Sequence, residues 1–178
     1  GTFHEGPDAT RENARRLIEA GADAVKVEWH ARAIDGIAGL RVDGIPVMGH
    51  VGLTPQTAEE LGGFKVQGKT PERAQEIIDN ALAFQEAGAF SVVVECVPEM
   101  LGKMMTERTA IPTIGIGAGR YCDGQVLVCY DLLGMYRRFR PKFVKQYVDG
   151  AGMVIDAVKR FKEEVEHGRF PEEHQTFK

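Results

Sequence analysis

The sequence predicts an α/β fold built on a parallel sheet, and three observations predict it. Stretches with apolar residues at helical spacing alternate with short apolar runs. Those runs are continuously apolar, as strands buried on both faces are. A helix–strand–helix–strand unit also occurs twice. Residues 19–28 and 86–95 both open Glu-Ala-Gly-Ala and close Val-x-Val-Glu, and Ile45-Pro46-Val47-Met48-Gly49 resembles Ile111-Pro112-Thr113-Ile114-Gly115. Duplication and the general likeness of α/β units explain this equally well. Either way the architecture is repeated βα units, which close into a barrel or form an open doubly wound sheet.

The elements follow in order. A first helix starts at Pro7, with Asp8 and Glu12 suited to its positive end, and an apolar stripe of Ala14, Leu17 and Ile18; Gly21 ends it. Ala24 to Glu28 reads as a strand, Ala31 to Val42 as a helix, and Pro46 to His50 as a strand. A polar loop rich in glycine follows, from Gly52 to Gly68. Thr70 and Pro71 then supply an N-cap and a first helical residue for the clearest helix, with a stripe of Ala74, Ile77, Ile78, Ala81 and Leu82 and an end at Gly88. Ser91 to Glu95 is a strand, Met100 to Thr109 a short helix, and Thr113 to Ile116 and Gln125 to Cys129 are strands. Asp131 is expected to cap a short helix from Leu132 to Tyr136. A last helix is expected from Phe143 to His167, interrupted near Gly150 and Gly152, with Val154, Ala157, Val158, Phe161 and Val165 on one face. Residues 169–178 read as a polar tail on a single domain spanning 1–178.

Composition narrows the function classes. With 43% apolar and 27% charged residues the chain is ordinary for a globular protein, and its net charge of −4, without a basic stripe, argues against nucleic acid. No apolar run approaches the roughly 18 residues needed to cross a bilayer, and the first seven residues lack the apolar region of a signal peptide. Cys96, Cys122 and Cys129 match no metal or redox spacing, so they are expected as buried or half-buried free thiols in a reducing cytoplasm.

Chemistry is expected at the carboxyl ends of the strands. Lys26 and Glu28 lie two apart and so share one strand face. His50 ends the next strand, and Glu95 ends the third after three valines. A carboxylate there is costly unless it is solvated, paired or bound to metal. A plain ion pair accounts for any one of these residues; three successive strands ending this way favour a site. Gly115-Ile116-Gly117-Ala118-Gly119 is not a dinucleotide loop, because Arg120 interrupts the required spacing. Trp29 and His30 either line a mouth beside Glu28 or pack on the surface. The methionines at 100, 104 and 105 read as core, and His4, His167 and His174 as solvated.

At these residues the chain resembles a known family. Ala24-Val25-Lys26-Val27-Glu28, the run from Gly49-His50 through Leu53-Thr54-Pro55-Gln56, and Gly62-Gly63-Phe64-Lys65-Val66-Gln67-Gly68 carry the likeness. So do Val94-Glu95-Cys96-Val97-Pro98, Ile111 to Gly119, Asp123 to Val128, Asp131 to Gly134 and Pro141-Lys142-Phe143. The motifs run in order over nearly the whole chain and resemble ketopantoate hydroxymethyltransferases. The resemblance implies a (β/α)₈ TIM-type barrel, here its last five βα units and its carboxy-terminal two-thirds. It implies transfer of a hydroxymethyl group from 5,10-methylenetetrahydrofolate to 3-methyl-2-oxobutanoate in pantothenate synthesis, with Mg²⁺, in a cytoplasmic homo-oligomer. By motif, Lys26 binds the keto acid, Glu28 serves the metal, Glu95 accepts the proton and His50 sits near the substrate.

Two departures stand out. Trp29 and His30 occupy positions where the family usually has two glycines, and Tyr130 stands where a histidine is common. The resemblance also implies that the family's first three strands, with two metal-binding aspartates and a substrate-holding serine, fall outside this sequence. The chain alone is therefore expected to be poorly active. The competing expectations are a related α-keto-acid or phosphoenolpyruvate-type barrel lyase and an inactive truncated chain.

Overall fold

The computed structural model describes residues 5–30 and 32–177. His4, and Ala31 at the expected start of the second helix, lie outside the described residues. The described chain divides into two compact units, one running through Val126 and one beginning at Leu127.

In the first unit helices and strands alternate: α1 (Pro7–Glu19), β1 (Val25–Glu28), α2 (Ala33–Val42), β2 (Val47–Gly52), α3 (Pro71–Ala87), β3 (Ser91–Glu95), α4 (Glu99–Arg108), β4 (Thr113–Ile116) and β5 (Gly124–Gln125). The strands form one parallel sheet in the order β1-β2-β3-β4-β5. Sequential order is the winding of a barrel wall; a doubly wound sheet reverses its order partway. The helices pack in the same succession, α1 on α2, α2 on α3 and α3 on α4, so they line one face of the sheet.

Which face they line follows from Gly49. A Cβ on this residue would stand 2.6 Å from Cγ of Phe84, so only a glycine lets the α3 ring lie on the strand. Gly49 therefore faces α3, and by alternation so do Val47 and Val51. Registry carries this across the sheet. Val25 and Val27 pair with Val47 and Gly49, and Val92 and Val94 pair with Gly49 and Val51. These residues join Ile37, Leu40, Ile78, Ala81 and Phe84 in the core. Lys26, Glu28, Met48, His50, Val93, Glu95, Ile114 and Ile116 point to the opposite face.

The α3 prediction holds in detail. Thr70 Oγ1 accepts the Arg73 N–H (3.4 Å), Pro71 opens the helix and Gly88 closes it at φ 97°. Its stripe extends to Phe84, beyond the predicted residues. In α1, Ala14 is buried but Leu17 is half exposed, so the stripe is narrower than expected. Of the three methionines only Met105 is core; Met100 and Met104 are exposed. At the sheet edge, Asp123 Oδ2 accepts from both the backbone N–H (2.8 Å) and the hydroxyl (2.9 Å) of Thr113, which ties the start of β4 to the turn before β5. Those bonds, the backbone one foremost, hold its carboxyl below the usual range.

The chain departs most from expectation after Gly124. The strand expected from Gln125 to Cys129 is only Gly124–Gln125, because pairing runs out after the Val126 N–H reaches Gly115 O (3.0 Å). Cys129 instead opens a short helix α5 (Cys129–Leu132), so Asp131 lies inside the helix and does not cap it. Cys129 is also exposed, against expectation, while Cys96 and Cys122 are half-buried; all three are free. The last helix, α6 (Gly150–Glu166), does not begin at Phe143. Tyr147 and Gly150 donate their N–H groups to Leu132 O and Leu133 O (2.9 Å each), which holds this segment against α5. Gly150 and Gly152 sit in the first turn of α6, where Asp149 accepts the Gly152 N–H (3.1 Å) as the cap. The apolar face of α6 is as predicted but stands exposed.

Two outcomes test this packing. Phe84→Ala should cost about 3–5 kcal/mol and Gly49→Val about 1–3 kcal/mol in denaturant unfolding; an unchanged midpoint in both would contradict the face assignment. The Asp123 contribution should be present above the unfolded carboxylate value of about 3.9 and vanish as pH falls through the lower folded value. Asp123→Asn should thus flatten the acid limb of a stability–pH curve.

Candidate active site

Four side chains meet on the sheet face opposite the helices, at the carboxyl ends of β1, β2 and β3. Glu28 and His50 pair in register, and Glu95 lies one step further along its strand, beside Gly52. Glu28 and His50 are buried, at 5% and 2% exposure, while Lys26 is exposed. Spacing along β1 puts Lys26 and Glu28 on one face; the parallel register adds His50 and Glu95 to it.

The contacts form a chain. Lys26 Nζ lies 3.6 Å from Glu28 Oε1 and 3.0 Å from His50 Nδ1. His50 Nε2 lies 3.0 Å from Glu95 Oε2. A lysine ammonium has only donors, so Nδ1 accepts and the ring proton belongs on Nε2, facing Glu95. The Nε2 contact has the distance of a hydrogen bond but not its alignment, and Nε2 has no hydrogen-bond partner. Ser91 Oγ, on the same face, is also buried without a partner. Such atoms are rare in folded proteins; Ser91 opens β3 at the end away from Glu95, so of the two only Nε2 bears on the cluster.

The backbone around the cluster is shaped for it. Glu28 Oε2 accepts the Gln56 N–H (2.9 Å) from the turn after β2, which fixes the carboxylate and leaves Oε1 toward Lys26. At Gly52, φ is 90° and a Cβ would collide with the Glu95 carbonyl, which instead accepts the Leu53 N–H (2.9 Å). Directly after Glu95, Cys96 takes φ 51°, alone among the described non-glycine residues in the left-handed region. Burial, then the Glu95 charge, push its thiol upward in pKa. The Gln56 backbone and Cys96 were not foreseen; the Pro55 turn and the residue after a strand-end carboxylate carry no side-chain signal for these roles.

The bulk at position 29 lies away from the cluster. The Trp29 indole meets Phe84 edge to face (5.5 Å, 82°), on the helix side of the sheet. With the Asn80 amide in the orientation that satisfies both its groups, its oxygen accepts from Trp29 Nε1 (3.1 Å). Trp29 and His30 do line a cavity of about 240 Å³, with Thr54, Gln67, Arg73 and Asn80 among its walls, but none of the four clustered side chains borders it. Tyr130 is exposed in the second unit.

As metal ligands these residues fit one corner of a site. Mg²⁺ takes oxygen donors and is commonly held by one or two carboxylates with water and substrate oxygens. Glu28 Oε1 can serve as one. No group of three acidic, histidine or cysteine residues able to hold an ion occurs among the described residues, so the donor set does not make an all-protein cage.

The sequence profile of the family described as ketopantoate hydroxymethyltransferase matches residues 1–173. The chain is 54% identical over 170 residues to the 3-methyl-2-oxobutanoate hydroxymethyltransferase of Heliobacterium modesticaldum, covering 96% of this chain and 62% of that one. The enzyme of that name from Clostridium beijerinckii is 49% identical over 178 residues, covering 99% and 65%. The chain thus spans less than two-thirds of the length of these curated relatives. Among solved structures, a protein described as a phosphonomutase from Burkholderia cenocepacia aligns at TM-score 0.53 and 14% identity, over 93% of this chain and 68% of that one. A phosphonopyruvate hydrolase aligns at TM-score 0.50 and 13% identity, over 97% and 61%. At such identities the likeness is one of fold alone.

The His50 geometry predicts an Nε2–H tautomer. Nitrogen NMR of labelled protein should show a protonated Nε2 and an unprotonated Nδ1, and the Lys26→Met variant should loosen that preference; the reverse tautomer would contradict the Lys26 contact.

Proposed function

Because the chain belongs to the ketopantoate hydroxymethyltransferase family, we propose that it carries the enolising half of a site that transfers a hydroxymethyl group from 5,10-methylenetetrahydrofolate to 3-methyl-2-oxobutanoate. The observation that carries this reading is the convergence of Lys26, Glu28, His50 and Glu95 on one sheet face at the strand ends. The whole activity belongs to a (β/α)₈ barrel to which this chain contributes five strands.

The chemistry asks for a base at C3 of the keto acid and positive charge at its oxygens. Glu95 is the base: its carboxylate ends an apolar strand and faces the sheet side that Lys26 shares. Lys26 supplies charge beside the keto acid, where the electron pair moves onto the carbonyl oxygen as the proton leaves. Glu28 would hold Mg²⁺, which when bound supplies further positive charge at those oxygens. His50 keeps Lys26 in place through Nδ1, and its Nε2 stands against the Glu95 carboxylate. The enolised C3 then bonds to the methylene carbon, whose two bonds to the folate nitrogens break; water supplies the hydroxyl oxygen and one proton, the proton taken from C3 supplies the other, and tetrahydrofolate leaves.

A homo-oligomer is our reading from the family resemblance. A cytoplasmic setting is part of the same reading. No helix of the described residues is long and apolar enough to cross a membrane.

The test is exchange of the C3 proton of 3-methyl-2-oxobutanoate into D₂O, followed by NMR. Exchange should require Mg²⁺ and should fall about a hundredfold or more in Glu95→Gln. Exchange that persists in Glu95→Gln would remove Glu95 as the base.

A further inference from the structure

The mechanism leaves one built feature unused: the loop from Gly62 to Lys69, between β2 and α3. In a wound parallel sheet the loops after the strands surround the reacting groups. This loop is anchored at both ends. The Gly62 and Gly63 N–H groups close on Glu59 O (3.0 Å) and Ala58 O (2.7 Å). At the other end the Gln67 N–H reaches Cys96 O (2.9 Å), one residue beyond Glu95, and Gly68 packs against Leu101 and Ile77. Between these anchors the Gln67 side-chain amide donates to Lys65 O (3.1 Å), and the side chains at the tip stand out from the described fold. Phe64 is 75% exposed and Val66 41%, and Lys65 and Lys69 are exposed beside them. The Lys69 charge is felt at the Cys96 thiol, which places it toward the end of β3.

We infer that this loop is the contact surface for the folate carrier, with Phe64 against its flat ring system and Lys65 and Lys69 toward its glutamate carboxylates. The inference rests on the functional reading above and adds where the donor lies. The complementarity is twofold. An exposed phenyl ring offers an aromatic face against which a flat ring system stacks. The two lysines offer positive charge to a ligand whose tail is anionic, in a chain that is acidic overall. The anchor at Cys96 holds this surface next to the base, as a donor delivering one carbon to C3 requires.

The test is calorimetric titration of the full chain with 5-formyltetrahydrofolate, a stable carrier with the same tail, at low and raised salt. Phe64→Ala should weaken binding by about tenfold. Lys65→Glu with Lys69→Glu should weaken it and flatten its salt dependence. Equal affinity in the parent and both variants, or no binding by the parent, overturns the assignment. Exchange at C3 needs no folate, so whether it falls in Glu95→Gln judges the functional reading and leaves the folate result to judge the loop.

Discussion

The contact of Phe84 with the backbone of β2 at Gly49 is the constraint from which the rest of the first unit follows. A ring laid on a strand that lacks a side chain at that point sets which face of β2 belongs to the core. Parallel pairing transmits the choice to β1 and β3 without exception, because a slip of one residue would turn every side chain to the other face. The core thereby receives Val25, Val27, Val47, Val51, Val92 and Val94. The opposite face receives Lys26, Glu28, His50 and Glu95. The packing of one phenylalanine and the assembly of the polar cluster are the same event seen from two sides of the sheet.

The cluster is also an electrostatic arrangement in which each group answers another. Glu28 is buried and would be costly alone; it has the Gln56 N–H on one oxygen and Lys26 near the other. Lys26 in turn touches His50, and His50 leads to Glu95. The carboxylate that the family resemblance assigns to metal and the one it assigns to proton transfer are thus separated by a lysine and a histidine, which keeps two like charges from sharing one pocket. The tryptophan beside Glu28 stands clear of this arrangement, because alternation along the chain sends its ring to the helix side, against Phe84.

Much of the fold was legible in the sequence. Helical spacing, a threonine–proline start and a glycine end specify α3, and unbroken valines specify β3, because these signals are local and nothing distant competes with them. The elements misplaced were those whose ends depend on neighbours. The run after Gln125 has strand composition, but a strand needs a partner, and its last rung is at Val126. The segment after Phe143 has helical spacing, but the Tyr147 N–H is taken by Leu132 O at the end of α5 and the Val144 N–H by Pro141 O, and the helix waits for the Asp149 cap.

For the site the division is similar. The sequence by itself determined the chemistry present: a lysine and carboxylate two apart, a histidine and a second carboxylate at successive strand ends, and motifs specific enough to identify the family. Only the tertiary structure decided that these four meet, that His50 stands between Lys26 and Glu95, that Trp29 faces away, and that the Gln56 backbone holds Glu28. Register, pleat and turn geometry fix those relations, and they arise from pairing between strands that lie far apart in the chain.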